Sequence, residues 1–173
     1  MKRFFQFGFI LITILMFSLG KVDAQDRASA EVRTTIIVPL TATETFQLNF
    51  GRFYPGSQGG TLVISPEGNV TTTASVASDA SPRNPGSFLV TGEADAAFSI
   101  TLPNTPATLT NANNTSTMQV SNWVSSPQSG DATAKLSGGA QTVWVGATLQ
   151  VGSLDENPKG IYKGSFQITF AYN

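Results

Sequence analysis

The chain has 173 residues, with ten Lys/Arg against eleven Asp/Glu, no histidine and no cysteine. Lacking those two residue types, it is excluded from histidine-based triads, thiol catalysis, zinc fingers and most transition-metal sites. A formal charge of −1, without clustered positive side chains, likewise excludes a phosphate-backbone footprint, and no nucleic-acid partner is expected.

Residues 1–24 read as a secretory signal peptide. Lys2 and Arg3 form a positive start, Phe7 to Leu19 an apolar run, and Val22-Asp23-Ala24 a small-residue cleavage site. The run is short for a hydrocarbon layer of about 30 Å, so no stable membrane span is expected after cleavage. Export to the periplasm, cell surface or extracellular space follows. Removing Lys2, Arg3, Lys21 and Asp23 with this segment leaves 149 residues, with seven Lys/Arg and ten Asp/Glu. That is enough for one core, stabilised by packing and pairing without a disulfide. Residues 25–31 are a flexible N-terminus, and residues 32–173 form the domain.

From Glu31 the chain alternates. Val32, Thr34, Ile36, Val38 and Leu40 share one face of an expected strand, and Phe46, Leu48 and Phe50 share a face of the next. Arg52 to Gly60 is turn-rich. Leu62 and Ile64 point inward on a short strand, Pro66-Glu67-Gly68-Asn69 turns the chain, and Val70 to Val76 is a Thr-rich strand. After the Asp79 to Gly86 loop, Phe88 and Val90 begin another strand, and Ala96, Phe98, Ile100 and Leu102 form a clean alternating set. A weak strand, Ala107 to Thr110, precedes Met118, Val120 and Trp123, and Ser125 to Asp131 is a loop. Val143, Val145, Ala147, Leu149 and Val151 alternate again. Residues 155–160 then turn the chain into its last strand, which predicts a long-looped hairpin between the two.

That last strand carries the most regular pattern. Tyr162, Gly164, Phe166, Ile168, Phe170 and Tyr172 fall on one face and polar or small residues on the other. About nine or ten short strands with regular turn signals predict an all-β chain, an immunoglobulin-like β-sandwich with Greek-key connections.

Chemistry is sparse. Glu93 with Asp95, and Asp155 with Glu156, are carboxylate pairs in short connections, where solvated turns explain them more simply than calcium. Carboxylates such as Asp79, Asp131, Glu93 and Asp95 hydrolyse glycosides only when opposed across a cleft, which sequence alone does not place. Trp144 faces away from Val143 and Val145, so it either contacts a ligand such as a sugar or packs beneath a covering layer. No catalytic, cofactor-binding or metal-ligating residue is assigned, no cofactor is expected, and the chain is not expected to be an enzyme.

Three ordered segments resemble a family of secreted bacterial β-sandwich domains, the DUF4402 family: IIVPLTATETFQLNFG (Ile36 to Gly51), FLVTGEADAAFSITLP (Phe88 to Pro103) and VWVGATLQVGSLDENPKGIYKGSFQITFAYN (Val143 to Asn173). The resemblance implies a sandwich fold and export, without an activity. The ending is also similar to that of chaperone–usher pilus subunits, which finish with a penultimate aromatic and a glycine fourteenth from the end. Tyr172 and Gly160 hold those places here. That likeness implies a groove beside the last strand, filled by a periplasmic chaperone or by a neighbouring subunit. Ile36, Val38 and Leu40 would supply the inserted strand, and Gly160, Phe166, Ile168, Phe170 and Tyr172 the receiving edge. Folding of that strand onto its own domain is the other layout.

The expected function is a non-catalytic exported structural or fimbria-related surface protein. A secreted module binding a surface glycan or polymer through Trp144 is the alternative, and a carboxylate-based glycoside hydrolase a third reading.

Overall fold

A computed structural model describes residues 31–73, 76–78 and 81–173. The expected signal peptide and residues 25–30 of the N-terminus expected over 25–31 lie outside the described residues, as does Asp79. By backbone packing the chain divides into Met1–Thr35 and Ile36–Asn173. In the first unit, Arg33 pairs with Glu31 at 2.9 Å. All described strands belong to the second.

Thirteen strands are described: β1 (Thr41–Phe46), β2 (Phe53–Pro55), β3 (Gly60–Ile64), β4 (Val70–Thr72), β5 (Val76–Ser78), β6 (Gly86–Thr91), β7 (Ala97–Thr101), β8 (Ala107–Asn111), β9 (Thr117–Ser126), β10 (Gly130–Lys135), β11 (Ala140–Val151), β12 (Tyr162–Lys163) and β13 (Thr169–Tyr172). The larger sheet runs β1-β6-β11-β9-β8-β12, with β3 and β4 attached beside β11. A second sheet runs β10-β7-β13, and β2 pairs β5 in a ribbon. The all-β sandwich expected from the alternation is the fold observed.

β11 organises it. One of its edges pairs β9, and its other edge is shared end to end by β6, along Ala140–Val145, and β3, along Ala147–Val151. Gly146 sits at the junction, where a Cβ would collide with the Ile64 carbonyl. Inward residues divide accordingly into two clusters. Leu62, Ile64, Met118, Val120, Ala147, Leu149 and Val151 gather with Phe50 in one. Val90, Phe98, Ile100, Ala134, Leu136, Val143 and Val145 fill the other, between the two sheets. Trp123 packs against both. The alternating sets in β3, β6, β7 and β11 thus point inward as their periodicity predicts.

Several expectations are corrected. Residues 31–40 form no strand; pairing starts at Thr41, where β1 joins β6. Phe46 does not share the inner face with Leu48 and Phe50, because the register shifts between Glu44 and Phe46. Up to that point Ala42 and Glu44 oppose the inward Val90 and Phe88; beyond it Phe46 opposes the outward Ser87. One extra residue therefore re-aims the ring. The loop expected over Ser125 to Asp131 is shorter, because β9 runs to Ser126 and β10 starts at Gly130. The β10 sequence GDATAK lacks large apolar residues, yet Ala134 and the following Leu136 lie in the core. The hairpin between β11 and the terminal strand does not form, since both edges of β11 are already occupied.

Candidate functional site

The terminal segment departs most from a regular strand. Its alternation survives, with Tyr162, Phe166, Ile168, Phe170 and Tyr172 half-buried and their neighbours exposed. Its pairing is divided between sheets. β12 closes the edge of the large sheet against β8, and β13 closes the edge of the small sheet against β7. Gly164–Ile168, between them, pair with no strand, and the backbones of Ser165, Phe166 and Gln167 make no hydrogen bond among the described residues. Both β12 and β13 are outermost, so the last eleven residues before Asn173 present an open edge across the seam of the sandwich.

Aromatic contacts hold this segment from beneath. Phe166 stacks on Trp123 at 4.5 Å between centroids, with planes 29° apart. Phe88 meets Phe166 and Phe170 edgewise or tilted at 6.2 and 6.0 Å, and Phe98 meets Phe170 at 6.2 Å. On the same face of β9, Trp123 Nε1 and Ser125 Oγ are buried without a hydrogen-bond partner among the described residues. Buried polar groups are ordinarily paired, so two orphans beside an unpaired backbone mark an incomplete seam.

At its far end the edge is latched. The Tyr172 hydroxyl donates to the Val38 carbonyl at 2.8 Å and accepts from the Glu93 amide at 2.5 Å. Glu93 Oε2 in turn accepts from the Val38 amide at 3.0 Å. Gly92 is required for this approach, since a Cβ there would collide with the Tyr172 hydroxyl. The latch brings Val38 to Tyr172, and Leu40 packs on the core cluster that also receives Phe166, Ile168 and Phe170. Ile36, 94% exposed, touches none of it. Gly160 belongs elsewhere: its α-carbon lies against the buried Asn111 side chain, where no Cβ fits. Glu93 carries no signal in the sequence for its part in the latch, because its partner is a backbone amide fifty-five residues away.

Three other carboxylates have ordinary partners. Asp95 meets Lys135 at 3.1 Å on the surface, and Glu156 Oε2 accepts from the Ser153 amide at 2.8 Å, closing its own turn. The Glu67 carboxyl is held below its usual range, chiefly by the Ser65 side chain and then by its own backbone amide. Among the described residues no three acidic side chains converge on a metal position. Trp144 lies on the outer face of β11, half-buried, with Phe46 stacked beside it at 6.4 Å.

The family model for a domain of unknown function, DUF4402, matches residues 40–172. The chain belongs to the DUF4402 family. The match starts beside β1 and ends at Tyr172, so the DUF4402 domain contains both sheets, Glu93 and the whole terminal edge. Neither a curated protein nor a solved structure matches the chain. No helix of the described residues is long and apolar enough to cross a membrane.

Proposed function

We propose that this chain is an exported, non-catalytic structural domain of a fimbria-related surface assembly, joined copy to copy by strand addition at its terminal edge. The observation that carries the reading is the incomplete seam at Gly164–Ile168. Its backbone is unpaired, Phe166 and Ile168 are half-covered, and Trp123 Nε1 and Ser125 Oγ lie buried without partners. An extended segment laid along that edge supplies ladder hydrogen bonds and covers the apolar side chains together.

The occupant we assign is the apolar stretch ahead of β1 in a neighbouring copy. Val32, Ile36 and Ile37 are exposed and belong to no strand, ahead of Val38, which stays latched to its own Glu93 and Tyr172, while β1 remains paired to its own β6. Before a neighbour arrives, the same edge is where a periplasmic chaperone would hold the subunit. The test is the mass of mature protein, residues 25–173, by light scattering across its soluble concentration range, beside a Gln167→Pro variant. Gln167 is exposed in the middle of the unpaired stretch, so a proline there, which fixes φ, interrupts a regular ladder without removing a core side chain. Association of the parent with a monomeric, folded variant is expected. A parent that stays monomeric throughout contradicts the reading.

A further inference from the structure

The outer face of the large sheet carries a second surface, separate from the terminal edge. Phe46 and Trp144 sit two strands apart, both opposite Ser87 of β6 in the ladder. Their ring planes differ by 13°, with centroids 6.4 Å apart. Ser87 points the same way yet has no exposed surface, and its hydroxyl is held by Thr45 Oγ1 at 2.5 Å. Phe46 itself is 58% exposed, and Leu89 and Val124, on neighbouring rows, are 39% and 47% exposed.

This aromatic pair is built by a local irregularity. Without the register shift after Glu44, strand alternation would place Phe46 on the inner face with Ala42 and Glu44. The bulge gives up regular pairing at that point and leaves a large ring in water beside a tryptophan. Core packing gains nothing from either step.

The chemistry around the rings is uniform. Across β1, β6, β11 and β9 the outward residues are Thr43, Leu89 and Thr142 in one row, and Phe46, Ser87, Trp144 and Ser126 in the next. None is charged, and Thr43, Thr142 and Ser126 offer hydroxyls beside the rings. We infer that this face binds a neutral polysaccharide, with Phe46 and Trp144 as the stacking rings. Sugar rings present flat C–H faces that lie on aromatic faces. Their hydroxyls need neutral donors and acceptors, which Thr, Ser and the indole N–H provide. Parallel rings let one flat ligand align with both, and the absence of charge disfavours an anionic polymer or a strongly charged protein partner.

The test is electrophoretic retardation of the full mature chain in native gels containing hydroxyethyl cellulose, soluble starch, dextran or galactomannan, with alginate as the anionic comparator. Retardation by at least one neutral polymer is expected, unchanged in molar salt and weakened about tenfold in Trp144→Ala and in Phe46→Ala. Both variants should keep the parent's urea midpoint within a small margin and associate through the terminal edge as the parent does, so failure here leaves the assembly reading standing. Trp144→Phe keeps a stacking face and should retain most of the binding, which separates loss of stacking from loss of fold. The inference is overturned if no neutral polymer retards the chain, if alginate alone does, or if neither alanine variant weakens retardation.

Discussion

The Tyr172 hydroxyl joins three parts of the chain: the terminal strand that carries it, the Val38 carbonyl ahead of β1, and the Glu93 amide between β6 and β7. Each such bond contributes about 1 kcal/mol net, and removing the hydroxyl also leaves the partially buried amide without its acceptor. Tyr172→Phe, which keeps the ring on the core, is therefore expected to lower stability by about 1–2 kcal/mol in urea denaturation. Gly92→Ala pushes a methyl group into the same hydroxyl and should cost about 1–3 kcal/mol. In the Tyr172→Phe background part of that cost should vanish, since the nearest colliding atom is gone while the ring Cζ and Leu136 Cδ1 stay close. A double-mutant cycle on urea midpoints reads this coupling, and strictly additive effects would refute the latch.

At the scale of elements, the terminal strand is one sequence pattern serving two sheets. Phe166 lies where it belongs to neither, held by its stack on Trp123. Phe166→Ala is expected to cost about 2–3 kcal/mol, short of a fully buried phenylalanine because one side is open. Phe46→Ala, on the outer face, should change stability by under about 0.5 kcal/mol. Comparing the two urea midpoints checks which aromatic residues hold the fold. The sequence made inward faces legible wherever alternation was strict, as in Phe98 with Ile100 and in Val143 to Val151. It hid whatever depends on pairing between distant strands. A bulge at Glu44/Phe46 reverses a face without altering the composition, and Ala134 of β10 and the following Leu136 are buried from a stretch of small and polar residues. The terminal edge residues were legible as one face. Their division between sheets was not, because alternation says which way a side chain points and nothing about which strand lies alongside.

At the scale of the molecule, two core clusters share β11 and are joined through Trp123, so loss of either should be felt as one cooperative transition. Phe98→Ala, at the centre of the cluster between the sheets, should cost about 3–5 kcal/mol and move the whole urea transition without splitting it. The terminal edge, whose middle stretch pairs with no strand while its two ends close different sheets, gives the assembly reading its physical basis. Because the chain has no cysteine, introduced thiols report contacts without interference. The decisive measurement mixes two separately purified single variants of mature protein, Ile36→Cys and Gln167→Cys, under mild oxidation. It compares them with a chain carrying both substitutions. Strand addition between copies predicts a mixed disulfide dimer on mixing, and a ladder of linked chains from the doubly substituted protein. A doubly substituted chain that closes only on itself, with no mixed dimer from the single variants, would contradict assembly and leave a self-contained domain.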